Sequence, residues 1–429
     1  MTKQRLELIC SKNPENLGAA TPQGYLFKYI DISSVDKGCI HWSQVNSFKY
    51  SDAPSRARRR IRKDDILLCT VRPGLQAHAR IGKEEIIPFV ASTGFAVLRP
   101  NNREDSSFLY HQIFSNSVVA QLRAREVGSN YPAVNESDVR QITVFMPEPA
   151  QRRNIGKILD TIDEAIAKTD AVIAKLKQVR SGLLHDLLSY GLDDNGRLRD
   201  PITHPEQFKD SPLGRIPREW ETKPLGTLCN HIGSGLTPRG GQDVYTQEGI
   251  LFIRSQNVTF EGLKLGDIAY IPKHIHLGML RSEVLGHDVL FNITGASIGR
   301  CCPMPDGMGQ SNVNQHVCIL RVSEATEADA LFLSTVLSST IGQKQLEALN
   351  TCGNRQGLNY QQLGSFIVPW PQAEERGLIA DYIKKTAQHL SKENSELEKL
   401  NSLKSGLQDD LLTGRVRVPE SIKEGAAGA

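Results

Sequence analysis

The sequence predicts an α+β chain assembled from two similar globular domains, separated by two long helices that pack as an antiparallel coiled-coil spacer. Three observations predict it: a repeat of domain length, short β-branched runs punctuated by turn residues, and two long proline-free stretches with heptad spacing.

The repeat comes first because a missed repeat misassigns the whole fold. Ser181-Gly-Leu-Leu-His-Asp-Leu-Leu188 returns as Ser405-Gly-Leu-Gln-Asp-Asp-Leu-Leu412, at an offset of 224 residues. Tyr29-Ile-Asp-Ile-Ser-Ser-Val35 pairs with Phe252-Ile-Arg-Ser-Gln-Asn-Val258, and Asp65-Ile-Leu67 with Asp288-Val-Leu290, both at an offset of 223. Gly128 through Asn135 aligns with Gly353 through Asn359 after one deletion. A near-constant offset of this size means a duplicated domain rather than a solenoid of short repeats.

Each copy has a front and a back. The fronts, about Leu6 to Pro149 and Leu225 to Pro371, carry runs such as Asp65-Ile-Leu-Leu-Cys-Thr-Val71 and His316-Val-Cys-Ile-Leu-Arg-Val322 between Gly, Pro, Asn and Asp, the pattern of strands and turns. A helical stretch interrupts each, near Ser107 to Arg125 and Ala328 to Leu349. The backs, Gln151 to Ser189 and Glu374 to Thr413, contain no proline. Apolar or small residues recur there at Ile155, Leu159, Ile162, Ile166, Thr169, Ile173, Leu176, Leu183 and Leu187. The second copy repeats the phase at Ile379, Ile383, Thr386, Leu390, Leu397, Leu400, Leu407 and Leu411. This 4-3 spacing specifies a helix with a coiled-coil seam, and Arg180 and Lys404 interrupt the seam at equivalent positions.

A lone long helix would leave its apolar stripe in water, so the two helices are expected to pack on each other. A helix of this length spans roughly 55 to 60 Å, and an antiparallel pair would hold one globule at each end. The expected domain plan is 1–150, a helix over 151–190, a linker over 191–224 with a Asp-Asp-Asn-Gly turn and five prolines, a second globule over 225–372, a helix over 373–414, and a flexible tail over 415–429. Duplex DNA advances one turn per roughly 34 to 36 Å, so such a spacer could act as a ruler between two major-groove segments. Geometry alone leaves a protein–protein scaffold with two β-rich binding ends as an equal alternative.

Composition excludes several classes. The 429 residues are 39% hydrophobic and 23% charged, an ordinary globular balance. No stretch approaches the roughly 20 apolar residues of a membrane span, and Met1 to Cys10 lacks the core of a signal peptide, so a cytoplasmic location is expected. The eight cysteines are scattered without a Cys-x-x-Cys pair, which points to idle or buried thiols. A net charge of +3 announces no nucleic-acid binder, so local patches must carry that case.

Those patches exist. Arg56-Ala-Arg58-Arg59-Arg60-Ile-Arg62-Lys63 places six cations in eight residues just before the strand expected at Asp65, and Arg72 follows that strand. Such clusters neutralise phosphates without reading sequence; a solvated surface run or a polybasic membrane patch would look the same. In the second copy Arg254, Gln256 and Asn257 end a strand, and Asn354, Arg355 and Gln356 follow the Gly353 turn. Arg, Asn and Gln are the side chains that bond guanine or adenine edges in pairs, which makes these loop positions candidate readers. Ser129-Asn-Tyr131 stands in the first copy where Asn354-Arg-Gln356 stands in the second, so the two copies are expected to read different sequences.

The chain also resembles a known family. Phe208-Lys-Asp-Ser-Pro-Leu-Gly-Arg-Ile-Pro-Arg-Glu-Trp220 is similar to the segment that leads into a target recognition domain of type I restriction-modification specificity subunits. Pro149-Ala-Gln-Arg-Arg-Asn-Ile-Gly-Lys-Ile-Leu159 resembles the start of that family's central conserved helix, and Leu411-Leu-Thr-Gly-Arg-Val-Arg-Val418 the end of its distal one. The resemblance implies that each globule is a target recognition domain reading one half of a bipartite, asymmetric double-stranded DNA target. It implies that the helices dock two methyltransferase subunits, with endonuclease subunits joining the full complex. Ile155, Leu159, Ile162, Ile166, Ile379, Ile383 and Leu390 are the positions expected to carry that docking. S-adenosylmethionine, ATP and Mg2+ would sit on the partners. The sequence departs from the pattern twice: the first copy has no clear counterpart of Gly214 to Trp220, and Pro371-Gln-Ala-Glu-Glu-Arg376 is a loose version of the helix-start motif.

No catalytic signature competes with this reading. The sequence has no Walker A loop, Gly-x-Ser-x-Gly, His-Glu-x-x-His, or Asp/Asn-Pro-Pro-Tyr. Asp163-Glu-Ala165 has the look of a helicase box, but on the seam helix and without a phosphate loop it reads as surface charge. His274-Ile-His276 could face one side of a strand as a metal pair, yet no third ligand lies near in sequence. Gly233-Ser-Gly-Leu-Thr-Pro238 reads as a turn. The expectation is a chain that catalyses nothing itself.

Overall fold

The computed structural model describes residues 2–11, 15–350 and 357–419, apart from the side chains of Gln242 and Asn350. The described residues divide into two compact units, one within Met1–Val172 and Glu393–Ala429 and the other within Ile173–Lys392. Strands and helices are mixed in both, as the α+β reading requires.

In unit 1 a four-stranded sheet runs in the order Asn46–Lys49, Leu26–Ile30, Phe89–Ser92, Ala57–Ile61, the middle pair parallel and the rest antiparallel. A second, antiparallel sheet runs Cys10–Ser11, Phe95–Pro100, Ile66–Cys69, Ala79–Arg80. Unit 2 repeats both strand for strand. One sheet orders Ala269–Ile271, Ile250–Ile253, Ser311–Val313, Glu283–Val284, and the other Cys229–Ser234, Val317–Val322, Val289–Asn292, Cys301–Pro303. The strand that Leu67 helps form is buried at every residue, and those of Val97, Ile253 and Ile319 at most of theirs, which explains their apolar runs.

The duplication extends to single bonds. Asp65, buried before its strand, accepts two bonds of 2.7 Å from Arg99; Asp288 accepts bonds of 2.8 and 2.7 Å from Arg321. Gln121 holds both the N–H and the C=O of Thr143, and Gln345 does the same at Ile367. Paired, buried charges of this kind keep a fold in one arrangement, since either partner alone would be stranded out of water.

The helical interruptions are each two helices rather than one. Ser106–Gln112 and Asn116–Arg123 are separated where Ser115 caps the second by accepting from the Val118 N–H, and Glu327–Ser338 breaks from Thr340–Asn350 at the extended Ser339.

The long helices cover Pro149–Ser189 and Ala373–Leu411. The first opens on proline, whose missing N–H costs nothing at that position; the second opens on Glu374 and Glu375, favourable at a helix N-terminus. Each contributes its first half to one unit and its second half to the other. Within unit 1, Ile155 and Leu159 share a core with Leu411 and Leu412, Asp163 pairs with Lys404 at 2.6 Å, and Asn154 donates to the Pro419 carbonyl, so the helical segments run antiparallel. Within unit 2, Ile379 and Ile383 share a core with Leu183, Leu187 and Leu188. Asp163 is therefore part of the seam rather than free surface charge.

Asp160 fastens the helix to the globule of unit 1 by accepting from Arg80, Ser107 and His111 at 2.7 to 2.9 Å. Burial alone would raise its carboxyl, but the bonds from His111, Arg80 and Ser107 bring it down to about 2.

Two expected connections are more structured than anticipated. The 191–224 segment forms a hairpin of Phe208–Ser211 and Gly214–Pro217, and it buries Leu192, Ile216 and Trp220 in the core of unit 2. Trp220 is fully buried because its indole N–H finds Glu375 at 2.8 Å. In the tail, Val418 is buried in the core of unit 1, while Arg415, Val416 and Arg417 before it are exposed.

Candidate nucleic-acid interface

The sheet registers decide which loops share an end of each unit. In unit 1, Ser92 pairs with Ala57, and Phe95 with Cys69. Thr93 donates to the Arg56 carbonyl, Thr70 donates to the Gly94 carbonyl, and Val134 donates to the Thr70 carbonyl, each at 2.9 Å. Arg56, the Thr93-Gly94 turn, Arg72 and the 127–133 loop therefore lie together at one end. Arg62 and Lys63, at the far end of the same strand, lie at the other.

This corrects the expected cation cluster. The cluster does precede the Ile66–Cys69 strand, but Arg58, Arg59 and Arg60 are themselves part of a strand, Ala57–Ile61, whose pairing is shifted by a bulge opposite Ala91/Ser92. Arg59 is half-buried and bonded to Glu136 at 3.0 Å. Arg60 pairs with Glu15 at 2.7 Å, and Arg58 lies half-buried over the Tyr50 ring. Arg56, Arg62, Lys63 and Arg72 are exposed and form no ion pair among the described residues.

Arg72 has a left-handed backbone, φ 48°. Its guanidinium sits 4.4 Å from the centroid of Tyr131 and donates to the Asn130 carbonyl at 3.2 Å. Tyr131, Val127 and Leu75 are exposed around it.

The corresponding end of unit 2 carries other chemistry. Asn314 donates to the Ile253 carbonyl, Ile293 to the His316 carbonyl, and Gly235 to the Asn314 carbonyl, which gathers 254–257, 294 and 314–316. Asn257 is buried: its oxygen accepts from the Arg254 N–H, and its amide donates to the carbonyls of Lys264 and Asp267. With every polar atom committed to the fold it has none for a base edge, which corrects its reading as a DNA contact. Arg254 is half-buried, donating to the Asp267 carbonyl at 2.9 Å. Gln256 is exposed and bonds the Asp267 carboxylate. Gln315, also exposed, bonds Thr237, and His316 bonds Thr294 at 2.6 Å. Asn354, Arg355 and Gln356 lie outside the described residues.

The family model for the type I restriction modification DNA specificity domain matches residues 23–178 and again 217–402. The chain belongs to this family. The specificity subunit of the MjaVIII type I restriction enzyme of Methanocaldococcus jannaschii is 22% identical over 79% of this chain and 76% of its own. The EcoBI specificity subunit of Escherichia coli is 25% identical over 70% and 64%. Among solved structures, the type I restriction-modification S subunit of M. genitalium superposes with a TM-score of 0.58 at 14% identity, covering 96% of both chains. A chain from a structure of a type I system, described for its complex assembly and conformational transition, superposes at 0.54 with 22% identity, covering 97% of this chain and 98% of that one. Both share the fold of two globules and two long helices.

For a type I specificity subunit, the helix positions expected to dock partners need correcting. Ile155, Leu159, Ile379 and Ile383 are buried in the cores of their own units, so their side chains are spent on internal packing. Ile162, Ile166 and Leu390 are half-buried.

Other singled-out residues have structural explanations. His276 is on a short helix, Lys273–Leu277, fully buried and bonded to Asn312 at 2.6 Å. The Gly233 to Pro238 run ends a strand where a Cβ on Gly235 would lie 1.6 Å from the Val313 carbonyl; close backbone approach, not a turn, demands that glycine. Burial pushes the thiols of Cys10, Cys229, Cys301, Cys302 and Cys318 up to about 12, leaving them protonated. Sequence reasoning missed Gln315 and His316, although the break between the 311–313 and 317–322 strands placed a turn there.

Proposed function

We propose that this chain is the non-catalytic DNA-reading subunit of a type I restriction-modification complex, each unit reading one half of a bipartite, asymmetric target. The observation that carries the reading is the repeated framework with unlike tips. The two units match strand for strand and down to the Asp65–Arg99 and Asp288–Arg321 pairs. At equivalent ends, however, one presents Arg56, Arg72 and Tyr131 and the other Gln256, Gln315 and His316. A shared scaffold with different hydrogen-bonding groups suits two readers of different sequences.

In the same proposal two methyltransferase subunits dock on the long helices and endonuclease subunits complete the complex. S-adenosylmethionine, ATP and Mg2+ are then held by those partners. Apolar helix positions that reach the surface include the half-buried Ile162, Ile166 and Leu390 and the exposed Val172, Val179, Leu378, Tyr382 and Leu403.

The test is a genome-wide map of methylated adenines in cells with and without the gene. Loss of methylation at one bipartite motif is expected. An unchanged map, in cells expressing this chain and its methyltransferase, would defeat the reading.

A further inference from the structure

Two positions in unit 1 hold side chains where unit 2 has glycine. The Ile66–Cys69 and Val289–Asn292 strands stand 223 residues apart, and each is followed by a three-residue turn, Pro73–Leu75 in unit 1 and, one register earlier, Gly295–Ser297 in unit 2. In unit 1 the turn is flanked by Arg72, φ 48°, and Gln76, φ 55°. At the strand offset of 223 the equivalent residues of unit 2 are Gly295, φ 71°, which opens its turn, and Gly299, φ 85°, just beyond it. This framework therefore calls for a left-handed backbone at both places, which glycine supplies freely and an L side chain does not. At Gly295 nothing lies within 4 Å of a built Cβ, so no steric demand explains the choice there. Unit 1 keeps an arginine against the preference of its own backbone, and such retained strain points to a function for the side chain.

The surroundings hold that side chain in place. The Arg72 N–H donates to the Pro132 carbonyl at 2.7 Å, and Val127 and Ala133 exchange hydrogen bonds that close the loop carrying Asn130 and Tyr131. The guanidinium rests over the Tyr131 ring and spends one donor on the Asn130 carbonyl, leaving the rest of its fork unspent. The tip is exposed, with Tyr131 at 71% and Leu75 at 62%. A phosphate contact needs only a charge on a flexible stem, as Arg56 already provides at this end. A clamped, planar fork that has lost little freedom on ordering is suited to paired acceptors in fixed geometry.

We propose that Arg72 reads a guanine through its O6 and N7 in the half-site of unit 1, with Tyr131 as the positioning residue that holds the guanidinium. The assignment rests on the DNA-reading function above and names the side chain that decides one base pair.

The experiment uses the complex of the full chain with its methyltransferase, binding duplexes that carry the mapped target and every single base-pair change within it. Arg72→Gly is the informative variant, because the fold already accepts glycine at this place in unit 2. Preference for one G·C pair in one half-site should fall from about ten-fold or more to near unity, the other half-site unchanged. Tyr131→Phe should behave as wild type, and Tyr131→Ala should lose part of the same preference. Arg72→Gly retaining every preference would overturn the assignment, as would losses spread over both half-sites. So would loss of all binding in Arg72→Gly while Tyr131→Ala matches wild type, since Arg72 would then act on the fold. A wild-type complex with no bipartite target defeats the functional reading itself; an intact target read unchanged by Arg72→Gly defeats only this assignment.

Discussion

Arg152, in the first turn of the first long helix, holds Asp105 at 2.7 Å through Nε while its Nη1 donates to the Pro147 carbonyl at 2.8 Å. Arg376 does the same at the second helix, reaching Asp329 at 2.6 Å and the Pro371 carbonyl at 2.5 Å. The helix-start motif that looks loose in the second copy thus keeps the residue that matters. One guanidinium joins the helix, the turn before it and the start of the globule's own helix.

Arg152→Ala and Arg376→Ala should each destabilise their own unit by about 3 kcal/mol, because both ion pairs are largely buried and removing one partner strands the other charge. Denaturant unfolding gives the magnitude. Amide exchange gives the location: faster exchange around 105–112 for the first variant and around 329–338 for the second is expected, and equal effects in both units would contradict it.

His78 makes unit 1 sensitive to mild acid. Its ring is fully buried, Nδ1 accepts from the Cys69 N–H at 3.0 Å, and burial pushes its pKa down from 6.5 to about 4. The unfolded chain takes up this proton below pH 6.5 and the folded one only near pH 4. The stabilising contribution is therefore complete above pH 6.5 and lost as pH falls toward 4, about 2 kcal/mol between pH 7 and 5. His78→Asn, which keeps an acceptor without the titration, should flatten the stability profile over that window; an unaltered slope would assign the acid sensitivity elsewhere.

The cations of the Ala57–Ile61 region should separate by partner. Arg56→Glu is expected to weaken binding to every duplex alike and reduce the salt slope by about one. Arg59→Ala, which leaves Glu136 without its partner, should change stability and leave the slope alone. Salt titrations of the complex check both, and a slope change with Arg59→Ala would place it on the DNA surface.

Much of the architecture could be read in advance. The offset of 223 to 224 residues reappears as two units with identical strand orders, and the 4-3 spacing reappears as Ile155, Leu159, Ile379 and Ile383 in helix-packed cores. The 191–224 segment was harder to read. Its prolines and turn signals describe a linker accurately as local sequence, and nothing local reveals that Trp220 will find Glu375 and fill a core.

The chain's own sequence determines what depends on neighbours along it: strand and helix type from residue pattern, the seam from heptad phase, and the duplication from plain recurrence. Tertiary structure alone decides what depends on partners far away in sequence. Glu136 neutralises Arg59 from 77 residues away, Glu15 meets Arg60 from 45, and Lys264 and Asp267 absorb the amide of Asn257. Arg72 stands out only once its backbone angle can be set beside that of Gly295. A charge or an amide that is buried and already satisfied within the folded chain is withdrawn from DNA, and that is settled by contacts the linear pattern does not contain.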